Sequence, residues 1–145
     1  MLRGLDPILS PDLLYMLRAM GHGDTIAVVD GNFPGLTMAK RLVRLDAHPS
    51  TAVVEAILRI MPLDDFVPDP AQVMEVVGDR SARPPIIEEF QEIIQSVADN
   101  PVAVAPVERF QFYDLCRAAH GIVQTGEVRL YGNIILKKGV IRPAN

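Results

Sequence analysis

The chain has 145 residues, and 14 basic side chains stand against 18 acidic ones, for a formal net charge of −4 at neutral pH. This acidic balance argues against a nucleic-acid partner, because proteins that coat DNA or RNA carry a basic surplus that neutralises phosphates. Apolar residues make up 49% of the chain and charged residues 22%, which is typical of a globular protein. We therefore expect a single domain over residues 1–145.

The first half of the chain alternates helical and strand patterns. Ser10, Pro11 and Asp12 predict a helix start, with a capping side chain, a proline at the first position and an acid at the positive end of the dipole. The β-branched run from Thr25 to Asp30 predicts a buried strand that ends on a carboxylate. A short strand is expected within residues 40–48.

The second half continues the alternation. Ser50 is expected to cap a helix over residues 51–61, and the proline-rich, acidic segment 63–72 is expected to be a surface loop. The remaining elements are predicted as a strand at 73–78, a helix at 84–98, a strand at 101–107, a helix at 108–120 and a closing pair of strands at 121–128 and 131–140. This order predicts an α/β domain with a mainly parallel sheet flanked by helices in three layers.

The cellular setting follows from what the sequence lacks. Cys116 is the only cysteine, so no internal disulfide can form, and no Cys/His spacing resembles a zinc site. Charges and prolines interrupt the first residues where a signal peptide needs an apolar stretch, and no run approaches the roughly 18 apolar residues of a membrane span. We expect a cytoplasmic protein with no metal and no membrane partner. A mean hydropathy of +0.20 hints at apolar contacts between subunits.

Two groups flank the first strand where chemistry is plausible. Asp30 follows its carboxyl end, where open α/β sheets bind their ligands. His22 precedes the strand between Gly21 and Gly23, in a turn where the imidazole could give or take a proton near neutral pH. The alternative is that His22 is only a surface turn residue and Asp30 caps the next segment.

A second polar group lies in the turn Tyr131-Gly132-Asn133, ahead of an apolar strand. A phenol and a carboxamide form hydrogen bonds but carry no redox or metal chemistry. Together with His22, Asp30 and Arg109 they predict a site for a small polyhydroxylated ligand, with Phe33 as an apolar face for a sugar ring. The alternative is that this turn only shapes a hairpin.

Several motifs in the same order resemble the L-fucose mutarotase family, whose close relatives are the ribose pyranases. They are SPDLL near the start, MGHGD at 20–24, D-x-x-FP at 30–34, the RF-FY motif at 109–113, and TGE followed by YGNIILKKGV. The resemblance covers nearly the whole chain and is weakest from about residue 46 to residue 104. Gly31 departs from the pattern, since the family usually has alanine there.

The resemblance implies a cofactor-free enzyme that interconverts the α and β anomers of a free monosaccharide. It implies small α/β subunits that assemble into homo-oligomeric rings, commonly decamers. By position, His22 matches the catalytic histidine, and Asp30 and Arg109 match substrate-binding residues. The segment Tyr131-Gly132-Asn133 matches a binding segment that can complete a neighbouring subunit's pocket.

His22 is then the expected acid for the ring oxygen, with Tyr131 or a bound water relaying the second proton. The alternative is a non-catalytic sugar-binding accessory or sensor.

Overall fold

The computed structural model describes residues 1–144. Along these residues the helices and strands are α1 (Pro11–Ala19), β1 (Thr25–Val29), α2 (Gly35–Met38), β2 (Leu42–Leu45), α3 (Ser50–Leu58), β3 (Ala71–Met74), α4 (Pro85–Val97), β4 (Ala105–Val107), α5 (Arg109–Ala118), β5 (Gly121–Thr125) and β6 (Ile134–Lys137). The α/β alternation predicted from the sequence is therefore present.

The strands form one mixed sheet in the order β2-β5-β1-β6-β3-β4. The pairs β2–β5, β5–β1 and β3–β4 are parallel, whereas β6 is antiparallel to both β1 and β3. Five strands thus share one direction and β6 runs against them. The expectation of a mainly parallel sheet needs this correction.

The reversed direction of β6 follows from the short connection that precedes it. Only residues 126–133 separate β5 from β6, whereas a parallel crossover needs about a dozen residues or more. The chain therefore turns back, and β6 enters on the far side of β1 from β5. The expected closing pair is wrong in this respect, because β1 lies between the two strands and they form no hairpin.

Helices cover both faces of the sheet, and the alternation of side chains along β1 shows how. Ile26 and Val28 pack with residues of α1, α3 and α4, whereas Ala27 and Val29 pack with Phe112 and other residues on the side of α5. Both cores are apolar and closed to water, so burial of the two sheet faces supplies the main driving force for the fold. Three layers result, as the sequence predicted.

Helix α1 and strand β6 fix the turn that carries His22. The Ser10 hydroxyl accepts a hydrogen bond from the backbone amide of Leu13 and caps α1 as expected. At the other end, the Lys138 ammonium donates to the carbonyls of Leu17 and Met20 at 2.8 and 2.6 Å. The Lys138 carbonyl also accepts from the amide of Gly23, so the turn is bound on both sides.

Two local expectations are wrong. Pro49, rather than Ser50, occupies the N-cap of α3, and the buried Ser50 hydroxyl instead lies 3.4 Å from Glu127 Oε2. Segment 63–72 is not wholly a surface loop, because Leu63 and Asp64 are buried and its last two residues belong to β3. Within residues 1–144, no helix is long and apolar enough to cross a membrane.

Candidate functional site

A cavity of about 240 Å³ opens beyond the carboxyl ends of the parallel strands. Its lining brings together four of the polar residues predicted from the sequence, namely Asp30, Arg109, Tyr131 and Asn133. The rest of the lining is Asn32, Phe33, Pro34, Met74, Val77, Tyr113 and Leu130. The volume lies below the roughly 300–1,000 Å³ of pockets for drug-sized ligands, so the cavity suits one small molecule.

Asp30 and Asn133 form a buried polar pair at the floor of this cavity. The amide of Asn133 donates to Asp30 Oδ2 at 3.0 Å, and its Oδ1 accepts from the Asp30 backbone amide at 2.8 Å. Burial raises the pKa of the Asp30 carboxyl above its ordinary value, while hydrogen bonds from Asn32 and Asn133 act against that rise. Asn133 therefore holds Asp30 in place as well as lining the cavity.

The end of β5 supports Asp30 from behind. Gln124 Nε2 donates to the Asp30 carbonyl at 2.6 Å, and Thr125 Oγ1 donates to the Val29 carbonyl at 2.7 Å. Both side chains are buried, so these bonds are shielded from water. Sequence reasoning missed this role, because Gln124 lies inside a predicted strand and Thr125 stood out only as part of the TGE motif.

In the turn at 131–133, Tyr131 and Gly132 have different roles. Tyr131 lines the cavity with φ at 64°, and its hydroxyl accepts a hydrogen bond from the Val77 amide at 3.2 Å. Gly132 is buried and does not line the cavity. A Cβ at this glycine would lie 2.6 Å from Glu127 Cγ, so the position permits close packing.

The remaining cavity walls are aromatic and cationic. The Arg109 guanidinium lies 4.6 Å from the centre of the Phe110 ring and has no hydrogen-bond or ion-pair partner among residues 1–144. Its donors are therefore available to a ligand. The rings of Phe33 and Tyr113 are 5.7 Å apart and form an apolar wall, as predicted for Phe33.

His22 lies at the opposite end of β1. Its side chain is 42% exposed, and Nε2 is 3.0 Å from Oδ1 of Asp64, which is only 2% exposed. The imidazole also contacts the Phe66 ring, with the ring centres 4.8 Å apart. Because the carboxylate occupies Nε2, the neutral imidazole carries its proton there and Nδ1 remains for a substrate.

Asp64 is fixed by the strands around it. Its carboxylate also accepts from the Phe66 amide at 3.2 Å, and its backbone bonds to the Lys137 carbonyl and to the Asn100 side chain. Sequence reasoning missed Asp64 because the acidic, proline-rich segment around it looks exposed. A Cβ at Gly139 would lie 2.9 Å from Asp64 Cα, so this glycine lets the segment after β6 pack directly against the Asp64 backbone.

The two functional groups are far apart within one chain. Strand β1 has five residues and spans roughly 16 Å, with His22 before it and Asp30 after it. A single monosaccharide cannot touch both groups in the same subunit. The structure thus gathers Asp30, Arg109, Tyr131 and Asn133 and separates His22 from them.

The other titratable candidates lie outside the cavity. Cys116 belongs to the core as expected, and burial raises the pKa of its thiol to about 12. His120 Nδ1 is 3.8 Å from Asp24, and His48 is half-buried after β2. Among residues 1–144, no group of His, Cys, Asp and Glu side chains could hold a metal ion.

The fold and cavity define a class of α/β protein with a small polar ligand pocket at the carboxyl edge of the sheet. A family model described as the RbsD / FucU transport protein family matches residues 3–141. The chain therefore belongs to this family. The resemblance inferred from the sequence motifs is confirmed.

Individual relatives are similar over nearly the full length. The fucose mutarotase of Homo sapiens is 41% identical, with 97% of this chain and 94% of that protein covered. The L-fucose mutarotase of Actinobacillus pleuropneumoniae serotype 5b (strain L20) is 37% identical, with 97% of each covered. The crystal structure of the Streptococcus pneumoniae fucose mutarotase in complex with L-fucose has a TM-score of 0.90 and 39% identity, covering 97% of this chain and 100% of that one.

Proposed function

We propose that this protein is a fucose mutarotase, an isomerase that interconverts the α and β anomers of L-fucose without a cofactor. The observation that carries the proposal is the full-length similarity to fucose mutarotases, combined with a cavity that gathers Asp30, Arg109, Tyr131 and Asn133. These groups bind hydroxyls, and the Phe33–Tyr113 wall offers an apolar surface to the less polar side of a deoxy sugar.

The reaction needs one proton to arrive and one to leave. When the ring opens, the bond between the anomeric carbon and the ring oxygen breaks, the ring oxygen takes a proton, and the anomeric hydroxyl loses one as it becomes a carbonyl. Rotation about the next carbon–carbon bond and closure on the other face of the carbonyl give the second anomer. A positioned acid and base contribute about 10²–10⁴-fold to such transfers.

His22 in its imidazolium form is the proposed acid, and its Nδ1–H gives the proton to the ring oxygen. The bond from Nε2 to Asp64 orients the ring and stabilises the imidazolium form electrostatically. The Tyr131 hydroxyl accepts from the Val77 amide and so directs its own proton to the cavity, where it would hold a bound water. That water is the proposed acceptor of the proton that the anomeric hydroxyl loses. His22 and the water then exchange roles when the ring closes.

The separation of His22 from the cavity leads to a shared site. We propose a homo-oligomeric ring, commonly decameric in this family, in which His22 of one subunit faces the Asp30 cavity of its neighbour. Exposed apolar side chains occur at both places, with Val77 and Leu130 at the cavity and Phe66 beside His22. Contact between two copies would cover these groups and exclude water from the sugar.

Saturation transfer between the anomeric protons of L-fucose tests the activity. D-ribose and D-galactose serve as comparison sugars, and wild-type protein should accelerate exchange of L-fucose above the buffer rate. Binding of L-fucose without any acceleration would support the sugar-binding accessory instead. Neither binding nor acceleration would overturn the proposed function.

Mixing two impaired variants tests the shared site. His22→Ala and Asp30→Ala each remove one half, so with L-fucose well below the wild-type KM each alone should be slower than wild type by about tenfold or more. When the two are co-expressed, some contacts carry His22 from one chain and Asp30 from the other, and random mixing should restore about a quarter of wild-type activity. No recovery, or a particle of one 15.9 kDa chain by light scattering, would overturn the shared site.

A cytoplasmic setting is part of the proposal. Cys116, the chain's single cysteine, is free and buried, in keeping with a reducing compartment.

A further inference from the structure

Segment 126–133 forms one wall of the cavity without being part of a helix or strand. It contributes Leu130, Tyr131 and Asn133 to the lining. Tyr131 has φ at 64°, in the left-handed region that disfavours residues with a side chain by about 1–2 kcal/mol. Other contacts must therefore hold this wall in place.

Glu127 is the centre of those contacts. Its side chain is 3% exposed, and its carboxylate accepts hydrogen bonds from the Arg129 backbone amide, Nε and Nη2 at 3.0, 2.9 and 3.1 Å. The Ser50 hydroxyl lies 3.4 Å away as a further donor. These bonds hold the pKa of the Glu127 carboxyl below its ordinary value, with the Arg129 side chain as the main cause.

The Glu127–Arg129 ion pair connects the wall to three other parts of the fold. Arg129 Nη1 donates to Glu89 on α4 at 2.6 Å, and Ser50 belongs to α3. The Glu127 carbonyl accepts from the Gly31 amide at 2.8 Å, directly after Asp30. The two residues of the pair therefore anchor the wall to α3, to α4 and to the backbone directly after Asp30.

Glu127 of the ion pair also packs closely against Gly132 in the turn. Gly132 approaches Glu127 Cγ so closely that a Cβ at this position would lie 2.6 Å from it. Neither Glu127 nor Arg129 lines the cavity, so neither can touch a bound sugar directly. Any effect on the reaction must pass through Tyr131 and Asn133.

We propose that the Glu127–Arg129 ion pair is a positioning device for the sugar, which fixes Tyr131 and Asn133 against Asp30. The inference rests on the proposed mutarotase function. Because the pair acts on binding geometry, its loss should raise KM for L-fucose in molecules that remain folded. A purely structural role would instead lower kcat in proportion to the unfolded fraction and leave KM unchanged.

Arg129→Met and Arg129→Lys, compared with wild type, test the proposal. Methionine keeps much of the side-chain volume but loses the side-chain hydrogen bonds to Glu127, and KM should rise between about 10-fold and 100-fold. Lysine keeps the charge and one donor direction, so it should recover part of the loss. Arg83→Met is the matched control, because it removes an exposed ion pair to Glu88 next to the same helix. KM should stay at the wild-type value in that control.

A measurement without sugar separates this inference from the function itself. Hydrogen exchange by mass spectrometry should show faster exchange of segment 126–133 in Arg129→Met, about tenfold or more, and no change in Arg83→Met. Unchanged exchange in 126–133, or an unchanged KM in an active Arg129→Met protein, would overturn the positioning role. An inactive wild-type protein would overturn the proposed function but not the exchange result.

Discussion

The two ends of β1 are built differently. The carboxyl end opens into a cavity in which Asp30 and Asn133 are buried and paired. The amino end presents His22 with its side chain 42% exposed, Asp64 at its Nε2 and the Phe66 ring beside it. In the proposed mutarotase, one end of β1 binds the sugar, the other transfers a proton, and the two meet only between subunits.

Of the predicted changes, replacing His22 should have the largest effect, and it should slow anomer exchange without weakening sugar binding. In His22→Ala the acid is lost, so anomer exchange of L-fucose should fall by about 10²–10⁴-fold. Because the hydroxyl-binding groups Asp30, Arg109 and Asn133 stay in place, the Kd for L-fucose should change by less than about threefold, a free-energy change below 1 kcal/mol. Saturation transfer measures the exchange and calorimetry measures the binding. His48→Ala is the control, and a His22→Ala protein that no longer binds sugar would erase the division between the two ends.

Replacing Asp30 should do the opposite. Asp30→Ala removes the buried carboxylate proposed to accept from sugar hydroxyls. It also leaves Asn133 Nδ2 without its acceptor, while the backbone bond to Asn133 Oδ1 remains. A lost charge-assisted hydrogen bond of about 1.5–3 kcal/mol corresponds to weaker L-fucose binding by about 10-fold to 100-fold. Calorimetry should show this loss, while Asp114→Ala, an exposed carboxylate on α5, should bind as wild type does. Normal affinity in Asp30→Ala would mean that the cavity is not the sugar site.

Replacing Asp64, which contacts His22, should lower the activity less than replacing His22 itself. In Asp64→Ala the imidazole loses the acceptor at Nε2, so it can turn and adopt either tautomer, and kcat should fall by about tenfold. Asp64→Asn keeps an acceptor oxygen and should lose less. Nitrogen NMR of the His22 imidazole should show a mixture of tautomers in Asp64→Ala alone. The neighbouring exposed Asp65 offers a control in Asp65→Ala, and a wild-type tautomer in Asp64→Ala would contradict the role given to the carboxylate.

For the carboxyl end of β1, the sequence predicted which residues line the cavity better than it predicted how they are arranged. Asp30, Arg109, Tyr131 and Asn133 came from motif positions and strand ends, and all four line one cavity. The hydrogen bonds between Asp30 and Asn133 could not be predicted, because these residues are 103 positions apart in the chain. The helices with strong caps or amphipathic patterns, such as α1 and α4, were predicted well since local signals determine them.

The amino end was less predictable. His22 stood out between two glycines, but its partner Asp64 lies in a segment whose composition is that of an exposed loop. Burial of that carboxylate depends on the antiparallel position of β6, which the sequence reasoning also missed. One topological error therefore concealed one site residue, because the strand that contacts Asp64 was expected elsewhere.

The smallest expected difference between the two ends of β1 lies in how the free energy of unfolding depends on pH. Arginine lowers the pKa of Glu127 near the cavity and of Asp65 near His22, but Glu127 is buried and Asp65 is exposed. A carboxyl with a lowered folded pKa stabilises the fold above its unfolded pKa, near 4.5 for Glu127, and the contribution disappears as pH falls through the folded value. Glu127→Gln should therefore cost about 1–3 kcal/mol at pH 7 and little at low pH, because it loses charge-assisted hydrogen bonds. Asp65→Asn should change the free energy of unfolding less, and added salt should remove its effect, since water screens an exposed pair. Denaturant unfolding between about pH 3 and pH 7 measures the free energy of unfolding of both variants. If that free energy changes with pH by the same amount in the two variants, burial of Glu127 does not distinguish the cavity wall from the surface beside His22.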